Sequence, residues 1–231
     1  MIAVVTGAAS GLGAAAARRL AASGCRVVAV DLPSAAERGG ELVSELGGGD
    51  AALFAGADVS DEAQVAAALD ACESRFGAPS VLVQCAGIGD ARRTLSKKGP
   101  HSLAAFEKVM RVNTFGTFNV LRLTAERMAA RDADADGMRG VIVNTASIAA
   151  YDGQIGQAAY GEQRRATRPL LASVSFVSLW FALSHRFMFP VDGSHRERYT
   201  FTISLTRLAV PSASVGRFAR SQPHRRAQSL G

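Results

Sequence analysis

A glycine-rich turn near the start of the sequence has the spacing of a site that binds the phosphates of a dinucleotide. Gly7, Gly11 and Gly13 follow the short apolar run Ile2–Thr6 and open an alanine-rich stretch typical of a helix. In such a turn the first glycine permits a sharp change of direction, the second lets the backbone approach the phosphates, and the third lets helix and strand pack closely. The predicted cofactor contacts are Thr6, Gly7, Ser10, Gly11, Leu12 and Gly13. A glycine-rich turn with a purely structural role explains this segment, taken alone, equally well.

Acidic residues after the next two apolar runs indicate which dinucleotide fits. Asp31 closes the second run, 18 residues after Gly13, where a carboxylate accepts hydrogen bonds from both hydroxyls of an adenosine ribose. The same charge repels the 2′-phosphate of NADP, so the sequence predicts NAD. Asp58 and Val59 follow the third run and are predicted to meet the adenine. Two alternatives stay open, in which Asp31 is a simple turn residue and Asp58 belongs to a helix N-cap region.

These residues require strands and helices that alternate along the chain. Short apolar runs rich in β-branched residues alternate with longer alanine-rich stretches of helical character. Uniformly apolar strands suit a parallel sheet with helices on both faces, so we predict a doubly wound α/β fold of the Rossmann type. The predicted strands are Ile2–Thr6, Arg26–Val30, Ala51–Ala55, Val81–Gln84 and Val141–Asn144, and the predicted helices are Gly11–Ser23, Ser34–Leu46, Glu62–Arg75 and Leu103–Arg131.

The character of the sequence changes after Tyr160, which divides the chain into a Rossmann domain at residues 1–160 and an atypical tail at residues 161–231. The first part carries 15 Lys or Arg and 17 Asp or Glu, whereas the tail carries 11 Arg, no Lys and 3 Asp or Glu. The tail therefore accounts for the net positive charge. One of its segments, Tyr199–Leu205, alternates apolar and polar residues and predicts a strand.

The basic tail raises the alternative of nucleic-acid binding. Arg217, Arg220, Arg225 and Arg226 supply charge, but Phe218 alone among their neighbours supplies an aromatic ring on which a base would stack. A solvated charged surface explains these arginines better, so no nucleic-acid partner is predicted. The abrupt change of composition also suggests a hypothesis about the gene, namely that residues from Gly161 onward are an out-of-frame translation of a GC-rich sequence.

Further positions along the first 160 residues make the chain similar to the short-chain dehydrogenase/reductase family. The segment Gln84-Cys85-Ala86-Gly87 follows the fourth predicted strand and keeps the Ala-Gly pair of the family's Asn-Asn-Ala-Gly-like segment. The resemblance places the family's catalytic asparagine, serine and tyrosine at Asn113, Ser147 and Tyr160. It also implies cofactor contacts at Cys85, Ala86, Gly87 and Tyr160.

The resemblance implies hydride transfer between NAD and a secondary alcohol or ketone. Tyr160 would exchange a proton with the substrate, Ser147 would hydrogen-bond the substrate oxygen, and Asn113 would hold a water that relays protons. The family has a lysine four residues after the tyrosine, and here that residue is Arg164. A protein that binds NAD with little or no catalysis is therefore the alternative function.

Two segments are similar to a particular group within the family, the type 2 3-hydroxyacyl-CoA dehydrogenases. They are Lys97-Lys98-Gly99 in a long connection and the stretch that runs from Gly153 to Tyr160. This resemblance implies a 3-hydroxyacyl-CoA/3-oxoacyl-CoA pair as small-molecule substrate, a role in fatty acid metabolism and a homotetramer. Gln154 and Gln157 would then border the substrate pocket beside Ser147 and Tyr160.

The remaining features indicate a cytoplasmic protein. Cys25, Cys72 and Cys85 are not clustered, which predicts reduced thiols and no metal site. The chain passes from Met1 directly into an apolar run, so no signal peptide is predicted. The longest apolar run of the tail, Leu170–Leu183, is interrupted by serines and is shorter than the roughly 20 residues that span a bilayer, so no membrane span is predicted.

Overall fold

The computed structural model describes residues 1–90, 92–147 and 201–208, and a six-stranded sheet forms the centre of this part. The strands are β1 (Ile2–Thr6), β2 (Arg26–Asp31), β3 (Ala52–Gly56), β4 (Val81–Gln84), β5 (Leu95–Ser96), β6 (Gly99–Pro100), β7 (Gly140–Ser147) and β8 (Phe201–Leu208). The sheet has the order β3-β2-β1-β4-β7-β8, and β5 pairs with β6 in a separate hairpin. The first five strands of that order are parallel, which confirms the predicted doubly wound fold.

Helices cover both faces of the sheet. They are α1 (Gly11–Ala22), α2 (Ala36–Glu45), α3 (Glu62–Phe76), α4 (Leu103–Met110) and α5 (Thr117–Ala129). Alternate residues of β1 pack into two different cores, since Val4 joins side chains of α3 and α5 whereas Val5 joins Ala17 of α1 and Leu42 of α2. Each fully buried aliphatic side chain of this kind contributes about 1.5–3 kcal/mol. The uniformly apolar strands of the sequence are explained by this burial on both faces.

The winding of the sheet reverses beside β1. From β1 the chain moves outward to β2 and β3, then returns to β4 and β7 on the other side. Thr6 at the carboxyl end of β1 is paired with Val30 of β2 and with Gln84 of β4. In open α/β sheets, ligands bind in the crevice outside the carboxyl ends of the strands at this reversal. The glycine-rich turn and the Gln84–Gly87 segment both leave the sheet there.

The predicted single helix over Leu103–Arg131 is wrong in one respect, because residues Arg111–Gly116 form a π-helical segment between α4 and α5. Two contacts accompany this segment. The Thr117 hydroxyl donates to the Asn113 carbonyl oxygen at 2.6 Å, and Gly116 lies so close to Val59 that a Cβ there would be 2.6 Å from Cγ2 of that valine. π-Helical turns inside α-helices are frequently found at functional sites.

The tail contributes β8 to the sheet, close to the predicted strand Tyr199–Leu205. It pairs with β7 in antiparallel register, from Gly140 opposite Leu208 to Ser147 opposite Phe201. A further right-handed βαβ unit would instead have placed a parallel strand beside β7. The described part of the tail is therefore atypical, as predicted, while the division of the chain into two parts at Tyr160 stays a prediction.

Candidate active site

The glycine-rich turn has the conformation that its three glycines require. Gly7 and Gly11 have positive φ angles of 65° and 51°. A Cβ on Gly7 would lie 2.8 Å from the Ala86 backbone nitrogen, and one on Gly13 would lie 2.1 Å from the Gly7 carbonyl oxygen. Around Gly11, by contrast, a Cβ would meet nothing within 4 Å. Gly7 and Gly13 thus allow close packing of the turn, and Gly11 borders open space at the start of α1.

The amino end of α1 is electrostatically suited to an anion. Ser10 is its N-cap, but the Ser10 side chain is exposed and makes no capping hydrogen bond, and the first turn contains no acidic residue. The first N–H groups of a helix have no partner within the helix, and they sit at the positive end of its dipole. Leu12 is half-buried in this first turn. These properties fit a bound pyrophosphate, and the individual cofactor contacts stay a prediction.

Asp31 lies at the end of β2 and joins the glycine-rich turn. Its Oδ2 accepts a hydrogen bond from the Ala9 backbone N–H at 2.9 Å, and its Oδ1 accepts from the Leu32 N–H at 2.8 Å. Asp31 therefore has a structural function in addition to the predicted contact with ribose. Each carboxylate oxygen has a second lone pair with which to accept a hydroxyl donor.

Asp58 and Val59 lie just beyond β3. Asp58 accepts the backbone N–H and the hydroxyl of Ser60 on Oδ1, at 2.9 and 2.8 Å, while the N-cap of α3 is Asp61. Val59 is 7% exposed, and its carbonyl oxygen accepts from Asn119 at 3.0 Å. Asp58 thus shapes the turn before α3 and is not the capping residue itself. Its contact with adenine stays a prediction.

The segment after β4 is fastened to the neighbouring turn and to the π-helical segment. Thr6 accepts the Cys85 N–H on its carbonyl oxygen and the Ala86 N–H on its hydroxyl, each at 3.2 Å. The Asn113 side chain pairs with the backbone of Ile88, accepting from its N–H at 2.8 Å and donating to its carbonyl at 2.7 Å. Gly87 lies between these two attachments.

Asn113 therefore has a function that the sequence analysis did not identify. The residue is 2% exposed, and its amide group holds the loop after β4 against the π-helical segment. The π-helical turn and the Ile88 contact together determine where Asn113 lies. The predicted part of Asn113 in a proton relay stays a prediction.

A buried polar pair near the predicted catalytic serine was not predicted from the sequence. Gln84 of β4 donates from Nε2 to Oδ1 of Asn144 on β7 at 2.6 Å, and each residue is 4% exposed. The Thr145 hydroxyl donates to the Gln84 carbonyl oxygen at 3.0 Å. These bonds join the carboxyl ends of β4 and β7, and Ser147 follows three residues after Asn144. A polar residue closing each of two apolar strands was the signal available in the sequence.

The structure brings together only part of the predicted site. Ser147 is the last residue of β7, at the same edge of the sheet as the glycine-rich turn. The predicted residues Gln154, Gln157, Tyr160 and Arg164 lie outside the described residues. The described part contains no group of three or more His, Cys, Asp or Glu that could hold a metal ion.

Cys25 and Cys72 are buried free thiols. Burial raises the pKa of the Cys72 thiol to about 11, so this side chain stays protonated at neutral pH. Cys85 is partly buried beside the glycine-rich turn. Among the helices of residues 1–90, 92–147 and 201–208, none combines the length and apolar character that a membrane span needs.

Comparison with known proteins agrees with this geometry. The family model described as short chain dehydrogenase matches residues 1–175. The chain belongs to the short-chain dehydrogenase family. Its parallel central sheet flanked by helices is consistent with the Rossmann fold.

Several relatives share one name. This short-chain dehydrogenase is 48% identical over 167 residues to the 3-hydroxyacyl-CoA dehydrogenase type-2 of Drosophila melanogaster, covering 71% of this chain and 64% of that protein. It is 47% identical over 166 residues to the Homo sapiens protein of the same name, covering 71% and 62%. A crystal structure of 3-hydroxyacyl-CoA dehydrogenase type-2 from Mycobacterium avium matches with a TM-score of 0.69 and 40% identity, covering 74% of this chain and 67% of that one. The matched part thus spans less than two thirds of the two curated relatives.

Proposed function

We propose that this chain is an NAD-dependent oxidoreductase that interconverts a secondary alcohol and a ketone. The observation that carries the proposal is the geometry of the turn Gly7–Gly13. Gly11 borders open space at the amino end of α1, and the first turn of this helix contains no acidic residue. Asp31 at the end of β2 supports NAD over NADP, because its charge opposes a 2′-phosphate. The chain's family and the names of its relatives support oxidoreductase chemistry.

Each residue of the proposed site has a distinct role. The amides of the turn and Ser10 hold the pyrophosphate, Asp31 accepts the ribose hydroxyls, and Cys85, Ala86 and Gly87 border the nicotinamide half. NAD, when bound, supplies the hydride acceptor. Ser147 donates a hydrogen bond to the substrate oxygen, and Tyr160 exchanges a proton with it. The Gln84–Asn144 pair and the Asn113–Ile88 pair hold the carboxyl edge of the sheet, where β7 ends at Ser147.

The substrate proposed is a 3-hydroxyacyl-CoA or the corresponding 3-oxoacyl-CoA, which gives the chain a role in fatty acid metabolism. Two of its relatives are named for that substrate class. The described residues add a structural feature, the hairpin β5–β6, which follows β4 and carries Lys97 and Lys98 between its strands. These exposed cations lie on the connection between β4 and α4 and suit the phosphates of CoA.

The experiment that tests the proposal is an NAD titration of the full chain followed by assay of NADH formation from a 3-hydroxyacyl-CoA. Binding followed by turnover supports the proposal. Binding without turnover supports the second candidate function, an NAD-binding protein without catalysis, which Arg164 and the antiparallel β8 both favour. A chain that binds no NAD contradicts both functions.

Substitution of Asp31 should alter cofactor choice. Asp31→Ala removes the ribose acceptor and the opposing charge, so NAD affinity is expected to fall by about tenfold and the preference over NADP to shrink. Asp31→Asn keeps an oxygen to accept the Ala9 N–H but not the charge, and should reduce the preference with a smaller loss of NAD affinity. Dissociation constants for both cofactors measure these effects. An unchanged preference in both variants would remove Asp31 from the cofactor site.

Self-association is also a proposal. Phe115 and Phe118 project from the π-helical segment and α5 with 63% and 45% of their surface exposed. Apolar patches of this kind often mark contacts between chains, and we propose that a second copy covers them in a homo-oligomer. The double variant Phe115→Ser/Phe118→Ser should then sediment as a smaller species than the unmodified chain. A cytoplasmic location is a further proposal, which rests on the buried free thiols of Cys25 and Cys72 and is tested by fractionation.

A further inference from the structure

The connection between β4 and α4 carries a strongly basic arm, defined here as residues 92–100. It contains Arg92, Arg93, Lys97 and Lys98 and no acidic residue. Residues 92–98 are all exposed, and two short strands form its tip, with Ser96 paired to Gly99 and Leu95 to Pro100. The hairpin tip has further bonds, since the Ser96 hydroxyl donates to the Gly99 carbonyl and accepts the Lys98 N–H. Lys97 and Lys98 therefore lie at the turn of this hairpin, and Arg92 and Arg93 lie on the segment that leads into it.

A single carboxylate holds both ends of this arm. Asp90 contacts Nε of Arg92 through Oδ1 at 3.0 Å and Nε2 of His101 through Oδ2 at 3.2 Å. The side chains of Asp90 and His101 are only 13% and 11% exposed. The His101 N–H also donates to the Thr94 carbonyl at 2.9 Å. Asp90 thus joins residues before and after the hairpin. Its contact with His101 is enclosed, whereas the Arg92 side chain is 62% exposed, and exposed ion pairs contribute little to stability.

The same carboxylate lies next to the candidate active site. Ile88, two residues before Asp90, is held through its backbone by Asn113. His101 directly precedes Ser102, the N-cap of α4, whose hydroxyl accepts the Ala105 N–H at 3.4 Å. The base of the arm is therefore attached both to the loop that follows β4 and to the helix that leads into the Asn113 segment. Loss of the Asp90 carboxylate would remove its contacts with Arg92 and His101 at the base of the arm.

This arrangement matters because long cationic side chains on a free loop lose much conformational entropy when they bind an anion. An arm that is already ordered loses less, so its cations bind phosphates more tightly. We propose that Asp90, with His101, is a positioning residue that orients the basic arm toward the nucleotide end of a CoA thioester, and so sets the preference for CoA over thiols without a nucleotide. The choice of CoA rests on the proposed function.

The test compares the binding of CoA and of pantetheine, which lacks the nucleotide and its phosphates, to the full chain at low salt. For the unmodified chain we expect CoA to bind about tenfold more tightly than pantetheine, as a few exposed cation–phosphate contacts would produce. Asp90→Asn and His101→Asn should each reduce this ratio several-fold, with pantetheine binding unchanged. A general loss of structure would instead weaken the binding of both ligands. The ratio of the two affinities therefore separates an effect on positioning from an effect on folding.

Glu45→Gln provides a matched control, because Glu45 forms a bidentate pair with Arg18 between α1 and α2, away from the arm. It should leave the ratio unchanged. Lys97→Ala/Lys98→Ala should reduce the ratio at least as much as Asp90→Asn. If that variant reduces the ratio and Asp90→Asn does not, or if the unmodified chain binds the two ligands equally, the proposal for Asp90 is wrong. Binding needs no turnover, so this outcome is distinct from a failure of NADH formation, which would contradict the proposed function.

Discussion

Replacing Arg164 with lysine is expected to raise NADH formation from a 3-hydroxyacyl-CoA by about 10²-fold at neutral pH. Arg164 stands four residues after Tyr160, in the position of the family's lysine. Both side chains are cations and would favour the ionised tyrosine, whose ordinary pKa is about 10. Arginine, however, is a planar fork that is effectively never deprotonated, whereas lysine carries a compact ammonium group on a flexible stem. Proton-transfer groups contribute roughly 10²–10⁴-fold, and a partial recovery of that factor is readily measured.

The control for this prediction is the double variant Tyr160→Phe/Arg164→Lys. It should lose whatever activity the lysine variant gains, because the phenyl ring has no proton to exchange. NAD binding is measured in all three chains, so that a change in turnover is not confused with a change in cofactor affinity. If NAD binds equally well and Arg164→Lys gives no gain, the arginine is not the main obstacle to turnover. The altered tail, with β8 antiparallel to β7, would then be the next cause to test.

The parts of the fold that were predictable from sequence are those that local patterns determine. β1 and β4 have the predicted bounds, Ile2–Thr6 and Val81–Gln84, because a buried parallel strand must be apolar on both faces and each of these apolar runs ends in a polar residue. The turn Gly7–Gly13 was equally predictable, because each glycine there meets a local requirement of backbone geometry. Asp31 was predictable for the same reason, as the residue that closes β2.

The parts that were not predictable depend on contacts between distant segments. The π-helical turn at Arg111–Gly116 accompanies close packing of Gly116 against Val59, which is 57 positions away in the sequence. The Gln84–Asn144 bond likewise joins residues on two strands that only the sheet order makes neighbours. Periodicity in one segment carries no information about either contact. The alternation over Tyr199–Leu205 indicated a strand but could not indicate its direction beside β7.

The Asp90–His101 pair belongs to the same class. Its two residues are 11 positions apart and approach through a hairpin whose strands have two residues each. Strands this short leave almost no hydrophobic pattern in the sequence. The family resemblance indicated Lys97 and Lys98 but gave no indication of Asp90, whose carboxylate contacts the two ends of the basic arm. A site residue that acts by holding another is visible only once the chain is folded.

Substitution of Gly13 by alanine is expected to abolish measurable NAD binding and to destabilise the fold. The added Cβ would lie 2.1 Å from the Gly7 carbonyl oxygen and 2.6 Å from its carbon, so backbone atoms must move. Overpacking of this kind costs about 1–3 kcal/mol, and it opposes the gain of up to about 1 kcal/mol that alanine normally brings in a helix. The atoms that must move form the turn that is proposed to hold the pyrophosphate. Stability and cofactor affinity should therefore fall together.

Substitutions of two glycines of α2 serve as controls that separate an effect on stability from an effect on NAD affinity. Gly40 is exposed and a Cβ there would meet nothing within 4 Å, so Gly40→Ala should raise stability slightly and leave NAD affinity unchanged. Gly39 packs against the Phe54 ring, whose Cδ2 would lie only 2.1 Å from an added Cβ, so Gly39→Ala should lower stability without altering the affinity of the folded protein for NAD. Urea midpoints and NAD titrations below the unfolding transition give both quantities for each variant. Normal NAD binding by Gly13→Ala would show that close packing at this turn is not needed for the cofactor, and the proposal that Gly7–Gly13 holds the pyrophosphate would have to be abandoned.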